Sequence, residues 1–302
     1  MISNGGRHVI FDLGVRSDWE NNAPKVVTLI KATTVVTKGT DVASVLDSDD
    51  SGLNIRSADI QAVIWSHNHF DHIGDTSRFP PSTDLVVGPG VAAASWPGWP
   101  RSTDSIVLDS DAEGREIREI SFEESYLKIG SFTAFDFFGD GSFYLLDAPG
   151  HAVGHMCALA RTTTNDGEPS FVFMGADACH HPGVLRPSDY LPLPSKETLQ
   201  SVLTTTKISP RQRPSALLES HAMTPHKPFF TIARGPIFPN HEAAMLTVRK
   251  IQELDAAESV FVLMAHDLSI RDKIPVFPET INGWRTKGLK TETRWLFCSD
   301  FI

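Results

Sequence analysis

Three histidines and an aspartate fall within six residues of one another in the segment His67-Asn68-His69-Phe70-Asp71-His72. Imidazole nitrogens and carboxylate oxygens are the ligands that borderline divalent ions such as Zn2+ prefer. An apolar run with the composition of a β-strand, residues 59–65, comes directly before this segment. A solvated polar loop is the alternative interpretation, but the combination of residue types and spacing favours a metal site.

The spacing within this segment also predicts how the ligands approach a metal. In an extended chain successive side chains point to opposite sides, so His67 and His69 would share one side. If the chain then turns into a helix, Asp71 and His72 approach the same centre from another direction. Two pairs of ligands that arrive from different directions can hold two ions rather than one.

Further ligand-type residues lie just past the ends of other predicted strands. They are Asp12 after strand 7–11, His151 after strand 142–147, Asp177 after strand 170–174 and His266 after strand 259–264. Loops at one edge of a rigid sheet can assemble a cluster from distant parts of a chain, so we expect His151, Asp177 and His266 to join the 67–72 segment as metal ligands. Asp12 is expected to orient a ligand or to serve as a turn residue, and His155 to support the site or the fold.

The remaining pattern predicts short strands and a few helices. Other strands are expected at 84–87, 105–108, 116–122, 126–129, 131–138 and 156–161, and helices at 40–46, 195–207 and 241–257. Residues 182–240 are rich in proline and poor in periodicity, which is typical of a functional insertion such as a lid or pocket wall. No stretch has the composition of a linker, so residues 1–302 are predicted to form one domain.

The composition argues against several classes of function. The hydrophobic fraction of 41% is that of a globular protein. With 27 basic and 37 acidic residues the formal net charge is −10, which argues against a nucleic-acid partner bound through its phosphates. The apolar runs are no longer than a strand, and no charged N-terminal region precedes an apolar one. We therefore predict neither a membrane span nor a secretory signal.

The cysteines indicate a reducing compartment. Cys157, Cys179 and Cys298 are an odd number without C-x-x-C spacing, so each is expected to be a small core residue rather than part of a disulfide framework. Cys179 lies two residues from Asp177, so a role at the site is the alternative for that thiol. A cytoplasmic location is the resulting expectation.

These motifs resemble the metallo-β-lactamase superfamily, whose recurring elements are a strand-end Asp, His-x-His-x-Asp-His, a later His, an Asp and a last His. The corresponding residues, in the same order, are Asp12, His67/His69/Asp71/His72, His151, Asp177 and His266. The resemblance implies an α/β fold, an αβ-βα sandwich of two mixed β-sheets flanked by helices. It also implies two divalent ions, expected to be Zn2+, held by His67/His69/His151 and by Asp71/His72/His266, with Asp177 bridging both.

Details of the motifs bear on the reaction. The resemblance implies a hydrolase in which Asp71 and Asp177 have catalytic roles as well as binding metal. Asp177 resembles the bridging Asp of lactonases and glyoxalase II, and segments 66–74 and 149–155 are similar to those of acyl-homoserine lactonases. Those lactonases usually carry a Tyr three residues after the bridging Asp, where this chain has His180. The long loops and tryptophans also resemble fungal members that open lactams such as benzoxazolinone.

The expected function is a dinuclear metal-dependent hydrolase that opens a cyclic amide or ester, with an aromatic lactam of the xenobiotic type preferred. An acyl-homoserine lactonase and a thioesterase of the glyoxalase II or polyketide type are the alternatives. An inactive metal-binding scaffold is disfavoured because no ligand position is degraded. The small-molecule substrate is expected to contact Trp19, Phe70, His180 and Tyr190.

Overall fold

A computed structural model of the chain describes residues 1–37, 39–49, 52–162, 168–195, 197–199, 221 and 223–301. Its contacts divide the chain into two compact units, each with one β-sheet and its own hydrophobic core. Unit 1 comprises Met1–Tyr126 and Ala152–Met156, and unit 2 comprises Leu127–His151 and Cys157–Ile302. The prediction of a single domain stays a prediction. Most of the helix predicted at 195–207 lies outside the described residues.

Unit 1 is built on a five-stranded sheet in the order β1-β2-β3-β4-β5. The strands are β1 Ile2–Asn4, β2 Arg7–Phe11, β3 Ile60–Ile64, β4 Asp84–Val87 and β5 Ile117–Glu119. β1 pairs antiparallel with β2 and the other pairs are parallel, so the sheet is mixed. The parallel register of β2 and β3 sets Phe11 opposite Ile64. Asp12 therefore lies at the edge where the chain leaves β3 toward His67.

The described part of unit 1 also contains four short helices, α1 Pro24–Thr33, α2 Val42–Asp47, α3 Phe70–Ile73 and α4 Val91–Ser95. The sequence pattern predicts no element at α1. This helix begins at a proline, whose missing N–H has no partner to lose in the first turn, and it buries Val26 and Ile30 one turn apart.

The strand expected at 105–108 is wrong. Only an isolated bridge between Trp99 and Leu108 is present there. The Oγ atom of Ser105 accepts a hydrogen bond from the Val107 N–H at 3.2 Å. Such local contacts between side chain and backbone satisfy the chain without a neighbouring strand.

Unit 2 is built on a six-stranded sheet in the order β11-β10-β9-β8-β7-β6. The strands are β6 Lys128–Ile129, β7 Phe132–Asp136, β8 Phe143–Asp147, β9 Met156–Thr162, β10 Ser170–Met174 and β11 Val260–Leu263. β10 pairs antiparallel with β9 and parallel with β11, so this sheet is also mixed. Met174 lies opposite Leu263, so the chain leaves both strands at the same edge, shortly before Asp177 and His266.

Helices α5 His241–Ala256 and α6 Leu289–Thr293 belong to unit 2. The Oδ1 atom of Asn240 caps α5 by accepting the Ala243 N–H at 3.1 Å. Helix α5 packs one face into the core of the unit through residues at helical spacing, Ala244, Val248 and Ile251. None of the helices among the described residues is both long and apolar enough to cross a bilayer.

Gly150 allows α5 to pack close to the segment that carries His151. The glycine has a φ of +132°, and a Cβ added there would lie 2.2 Å from the backbone nitrogen of Ala244. Any other residue would therefore have to push the first turn of the helix away.

A buried ion pair holds the start of segment 182–240, where the sequence predicts an insertion. The Arg186 guanidinium donates two hydrogen bonds of 2.7 Å to the carboxylate of Asp255 on α5, and a third of 2.7 Å to the Arg294 carbonyl. Burial alone would raise the pKa of Asp255, but the Arg186 guanidinium keeps it below its ordinary value. Loss of one partner would leave an uncompensated buried charge, so the pair is a strong constraint on this segment.

A second buried carboxyl group makes the stability of unit 1 depend on pH. Asp111 is 1% exposed, and its Oδ2 accepts the Leu108 N–H at 2.9 Å. Its Oδ1 has no hydrogen-bond partner among the described residues. Burial raises the pKa of Asp111 to about 7, although the Leu108 hydrogen bond and the charge of Arg16 oppose the change.

We expect Asp111→Asn to reduce the pH dependence of the free energy of unfolding. The folded-state pKa lies above the ordinary value of 3.8, so the native protein binds the extra proton between these two values. The stability from this group is therefore full below about pH 4 and is lost as the pH rises through about 7. At about 1.4 kcal/mol per pKa unit, the free energy of unfolding of the variant relative to that of wild type should be roughly 1–3 kcal/mol higher at about pH 8 than at about pH 5.

Urea unfolding at the two pH values measures this gain. Glu113→Gln, which neutralises an exposed carboxylate two residues away, is the control. The same difference between Asp111→Asn and wild type at both pH values would contradict the assignment.

Candidate metal centre

Unit 1 gathers the predicted ligands of the 67–72 segment. Ligand-type atoms of His67 and His69 lie within 4.8 Å of each other, and so do those of Asp71 and His72. The chain is extended at His69, with φ −80° and ψ 150°, and α3 begins at the next residue. The predicted turn from an extended segment into a helix is confirmed. We define the N-terminal cluster as Asp12, Ser66, His67, His69, Asp71, His72 and His155.

Asp12 organises this cluster from behind the ligands. Its Oδ1 accepts the Ser66 N–H at 2.7 Å, and its Oδ2 accepts the Ser66 hydroxyl at 2.7 Å and lies 2.7 Å from Nδ1 of His72. A carboxylate beside Nδ1 fixes the orientation of the imidazole and leaves Nε2 as the ring nitrogen that can bind a metal. These contacts are those expected of a residue that orients a ligand, which is one of the two interpretations that the sequence leaves open for Asp12.

Ser66 is a residue that the sequence pattern does not single out. It is fully buried, and its Oγ lies 3.0 Å from Nδ1 of His67 and 3.4 Å from Nδ1 of His72. Both rings therefore have a fixed oxygen beside Nδ1. The ring of His155, which is 1% exposed, lies 5.2 Å from that of His67, so it packs behind a predicted ligand. The position of Ser66 directly after a strand and before the first histidine is the signal that could have identified it.

Unit 2 gathers a second group around one carboxylate. The Nε2 atoms of its histidines lie at 3.5, 3.0 and 3.2 Å from Oδ2 of Asp177, for His151, His180 and His266 respectively. Asp177 and His151 are buried, whereas the side chains of His180 and His266 are 34% and 42% exposed. We define the C-terminal cluster as His151, Asp177, His180 and His266. Imidazoles around a buried carboxylate are a donor set that fits a divalent cation.

The parallel pairing of β10 with β11 positions this second cluster. Beyond the strands, the Gly175 N–H donates to the Leu263 carbonyl at 2.8 Å, and the Ala265 N–H donates to the Ala176 carbonyl at 3.2 Å. The pairing thus continues to the residues directly before Asp177 and His266. Cys179 follows in the same loop, and burial raises its pKa to about 12. Its thiol stays protonated at neutral pH, which supports the core-residue interpretation.

Phe238 is a neighbour of the C-terminal cluster that sequence reasoning missed. Its ring centroid lies 5.0 Å from that of His151 and 5.1 Å from that of His180. It is 6% exposed and belongs to the core of unit 2. No local pattern marks this phenylalanine, because its position depends on residues nearly sixty or more positions away.

The other predicted substrate-binding residues lie outside the two clusters. Trp19 and Phe70 both pack, partly buried, against the small apolar cluster formed by α1 and its neighbours in unit 1. Tyr190 is 59% exposed in unit 2. Contact of these three residues with a substrate stays a prediction.

Comparison with known proteins identifies the family. Residues 1–161, more than half of the chain, match the family described as the metallo-beta-lactamase superfamily. The chain is 69% identical over 302 residues to the metallo-hydrolase mfmC of Annulohypoxylon moriforme, covering 100% of this chain and 78% of that protein. It is 44% identical over 299 residues to the gamma-lactamase FDB1 of Fusarium pseudograminearum, covering 97% of this chain and 70% of that protein. It is also 51% identical over 304 residues to the monooxygenase mpaDE' of Penicillium brevicompactum, covering 99% of this chain but only 33% of that protein.

Solved structures share the fold. A mutant of AiiA from B. thuringiensis, with N-decanoyl-L-homoserine bound at its active site, matches with a TM-score of 0.56 at 17% identity, covering 91% of this chain and 83% of that chain. This likeness confirms the predicted α/β class with two mixed sheets and helices. The residues that match the family model and the relatives that align with almost the entire chain show the family. The chain belongs to the metallo-beta-lactamase superfamily of hydrolases.

Proposed function

We propose that this chain is a dinuclear metal-dependent hydrolase that opens a cyclic amide or ester. The observation that carries the proposal is the C-terminal cluster, in which three imidazole Nε2 atoms lie within 3.5 Å of one oxygen of Asp177. The N-terminal cluster supports it, because it supplies a second ligand group with its rings fixed from behind. By correspondence with the superfamily motif, one ion would be held by His67, His69 and His151, and the other by Asp71, His72 and His266, with Asp177 shared.

The donor set supports Zn2+ as the ion. Imidazole nitrogens and carboxylate oxygens are ligands that suit zinc. When bound, such ions lower the pKa of water and polarise a substrate carbonyl.

The side chains of this protein have separate tasks in the proposed reaction. Asp71 would take a proton and deliver it to the leaving group, which matters more for an amide nitrogen than for an alkoxide. His180 is partly exposed beside Asp177, where its ring could donate a hydrogen bond to the substrate carbonyl. Phe238 would exclude water from the same side.

A lactam is the preferred substrate class and a lactone the second candidate. The relative FDB1 is named as a gamma-lactamase, whereas AiiA, which matches at 17% identity, shares the fold alone. The residue three positions after Asp177 is His180 and not the Tyr typical of acyl-homoserine lactonases. We therefore place an aromatic lactam such as benzoxazolinone, in a detoxification role, ahead of acyl-homoserine lactones and of thioesters.

The remaining expectations on setting stay part of this proposal. The net charge of −10 disfavours nucleic acid as a partner, so a small molecule is the expected ligand. Cys157, Cys179 and Cys298 are buried and form no disulfide within the described part of the chain, which fits a reducing compartment such as the cytoplasm.

Hydrolysis of a substrate panel tests the function. We expect ring opening of benzoxazolinone and of an aromatic γ-lactone, with kcat/KM for benzoxazolinone about tenfold or more above that for a hexanoyl-homoserine lactone or a glutathione thioester, roughly 1.4 kcal/mol in the transition state. Chelation should abolish the activity, and added Zn2+ should restore it. A thioester as the best substrate, or full activity after chelation, would overturn the proposal.

Replacement of Asp177 tests its place between the two ions. Because Asp177→Ala removes the carboxylate that three imidazoles surround, the purified variant should lose about one metal equivalent or more, as measured by elemental analysis. Asp272→Ala, which removes an exposed carboxylate in the same unit, should keep the wild-type metal content. A folded Asp177→Ala protein with two metals and the wild-type rate would refute the assignment.

Replacement of Asp12 tests the support behind the ligands. Asp12→Asn keeps the Oδ1 acceptor for the Ser66 N–H but puts an NH2 group, which cannot accept a hydrogen bond, beside Nδ1 of His72. Asparagine also tolerates the positive φ of 59° at this position, so the backbone should be preserved. Competition with a chromophoric chelator should show metal affinity reduced about 10- to 100-fold.

Asp104→Asn is the matched control for Asp12→Asn, because it neutralises an exposed carboxylate in the same unit. Equal metal affinity in Asp12→Asn and in this control would show that Asp12 is only a turn residue.

A further inference from the structure

A cavity of about 360 Å3 lies in unit 2 next to the C-terminal cluster. Its walls are His180, His181, Val184 and the segment 230–238. His180 belongs both to the cavity wall and to the group around Asp177, where its Nε2 lies 3.0 Å from the carboxylate. The volume is in the range of pockets that bind small organic molecules, so a ligand in this cavity would lie beside the proposed ligands of the metals.

The cavity wall is mainly apolar and partly aromatic. A hydrogen bond of 3.1 Å from the Phe238 N–H to the Gly235 carbonyl closes a tight turn. This turn places Phe238 inward against His180, while Ile237 lines the cavity and is 57% exposed. Phe230 contributes a second ring. Flat apolar groups are the ligands that such a surface favours.

Among the residues that line the cavity, all of which the structure describes, Arg234 is the only arginine, lysine, aspartate or glutamate. It is exposed, and within the described part of the chain it forms no ion pair with a carboxylate. The planar guanidinium binds carboxylates through paired hydrogen bonds, which makes it a recognition group for an organic anion.

We propose that this cavity binds the aromatic body of an anionic substrate, a carboxylate-bearing derivative of an aromatic lactam or lactone such as benzoxazolinone, and that Arg234 pairs with that carboxylate. The choice of an aromatic ring rests on Phe230 and Phe238, and the choice of an anion rests on Arg234. The reacting lactam or lactone would point toward His180 and Asp177. That last orientation rests on the proposed function, whereas binding in the cavity does not.

Calorimetric titration of the 302-residue chain with naphthalenecarboxylate and with naphthalenemethanol tests the choice of an anion. The two probes share one ring system and differ in charge. Arg234→Gln should weaken binding of naphthalenecarboxylate about 5- to 30-fold and change that of naphthalenemethanol less than about twofold. Arg249→Gln, which removes an exposed arginine of α5 outside the cavity, should leave both affinities unchanged. An equal effect of Arg234→Gln on both probes would overturn the role of Arg234.

A second pair of variants tests the apolar wall. Ile237→Ala should weaken binding of both probes about 3- to 10-fold, because apolar contact area is lost for either ligand. Leu246→Ala removes a similarly exposed aliphatic side chain of α5, 55% against 57%, and should have no effect. Wild-type affinities for both probes in Ile237→Ala would place them elsewhere and overturn the cavity assignment.

The titrations are repeated after chelation, so that the metals and the cavity are distinguished. Binding of naphthalenecarboxylate that depends on Arg234 with and without metal supports the cavity. Binding that disappears with the metal and is unchanged in Arg234→Gln overturns it, because the carboxylate would then occupy the metal centre. Arg234-dependent binding in a protein that hydrolyses no lactam or lactone would reject the proposed function and leave the cavity assignment standing.

Discussion

A buried carboxylate is the constraint on which the C-terminal part of the structure depends. Asp177 is 2% exposed, and a carboxylate removed from water needs cationic or hydrogen-bonding groups around it. His151, His180 and His266 meet this need from three separate segments. The parallel pairing of β10 with β11 is what puts two of these segments at one edge, and Gly150 lets α5 pack against the third. The sheet topology and Gly150 thus both contribute to the packing around the Asp177 carboxylate.

The N-terminal cluster in unit 1 is held in place by contacts of a different kind. Its predicted metal ligands all lie within residues 67–72, so the fold does not need to collect them but must hold their rings in place. Asp12 and Ser66 do this by placing oxygen atoms beside Nδ1 of His67 and His72. The parallel register of β2 and β3 is what brings Asp12 to that position. Each cluster is therefore organised by contacts inside its own unit.

The parts that the sequence predicts are those governed by local periodicity. Strands β4 and β10 follow from short apolar runs, helix α5 follows from helical spacing, and the strand-end rule locates the ligand candidates. Helix α1 is missed because its Val, Ile and Thr residues favour strands, and only packing of Val26 and Ile30 overrides that preference. Phe238 is missed because its contacts with His151 and His180 are distant in sequence, and Ser66 is missed because its hydrogen bonds to Asp12 join residues 54 positions apart. The same limit leaves the substrate contacts of Trp19, Phe70 and Tyr190 as predictions.

The attachment of segment 182–240 has a consequence for how the sequence of this protein could change in evolution. Its first residues are tied to α5 by Arg186 and Asp255, and the Phe230 N–H donates to the Gly183 carbonyl at 2.9 Å before Asn240 starts the helix. Both ends are thus held by bonds that do not involve Asp177 or His266. Under the proposed cavity assignment, mutations in residues 231–238 would alter which molecules bind and leave these attachments in place. Related proteins could in this way come to bind different compounds while keeping the same proposed reaction.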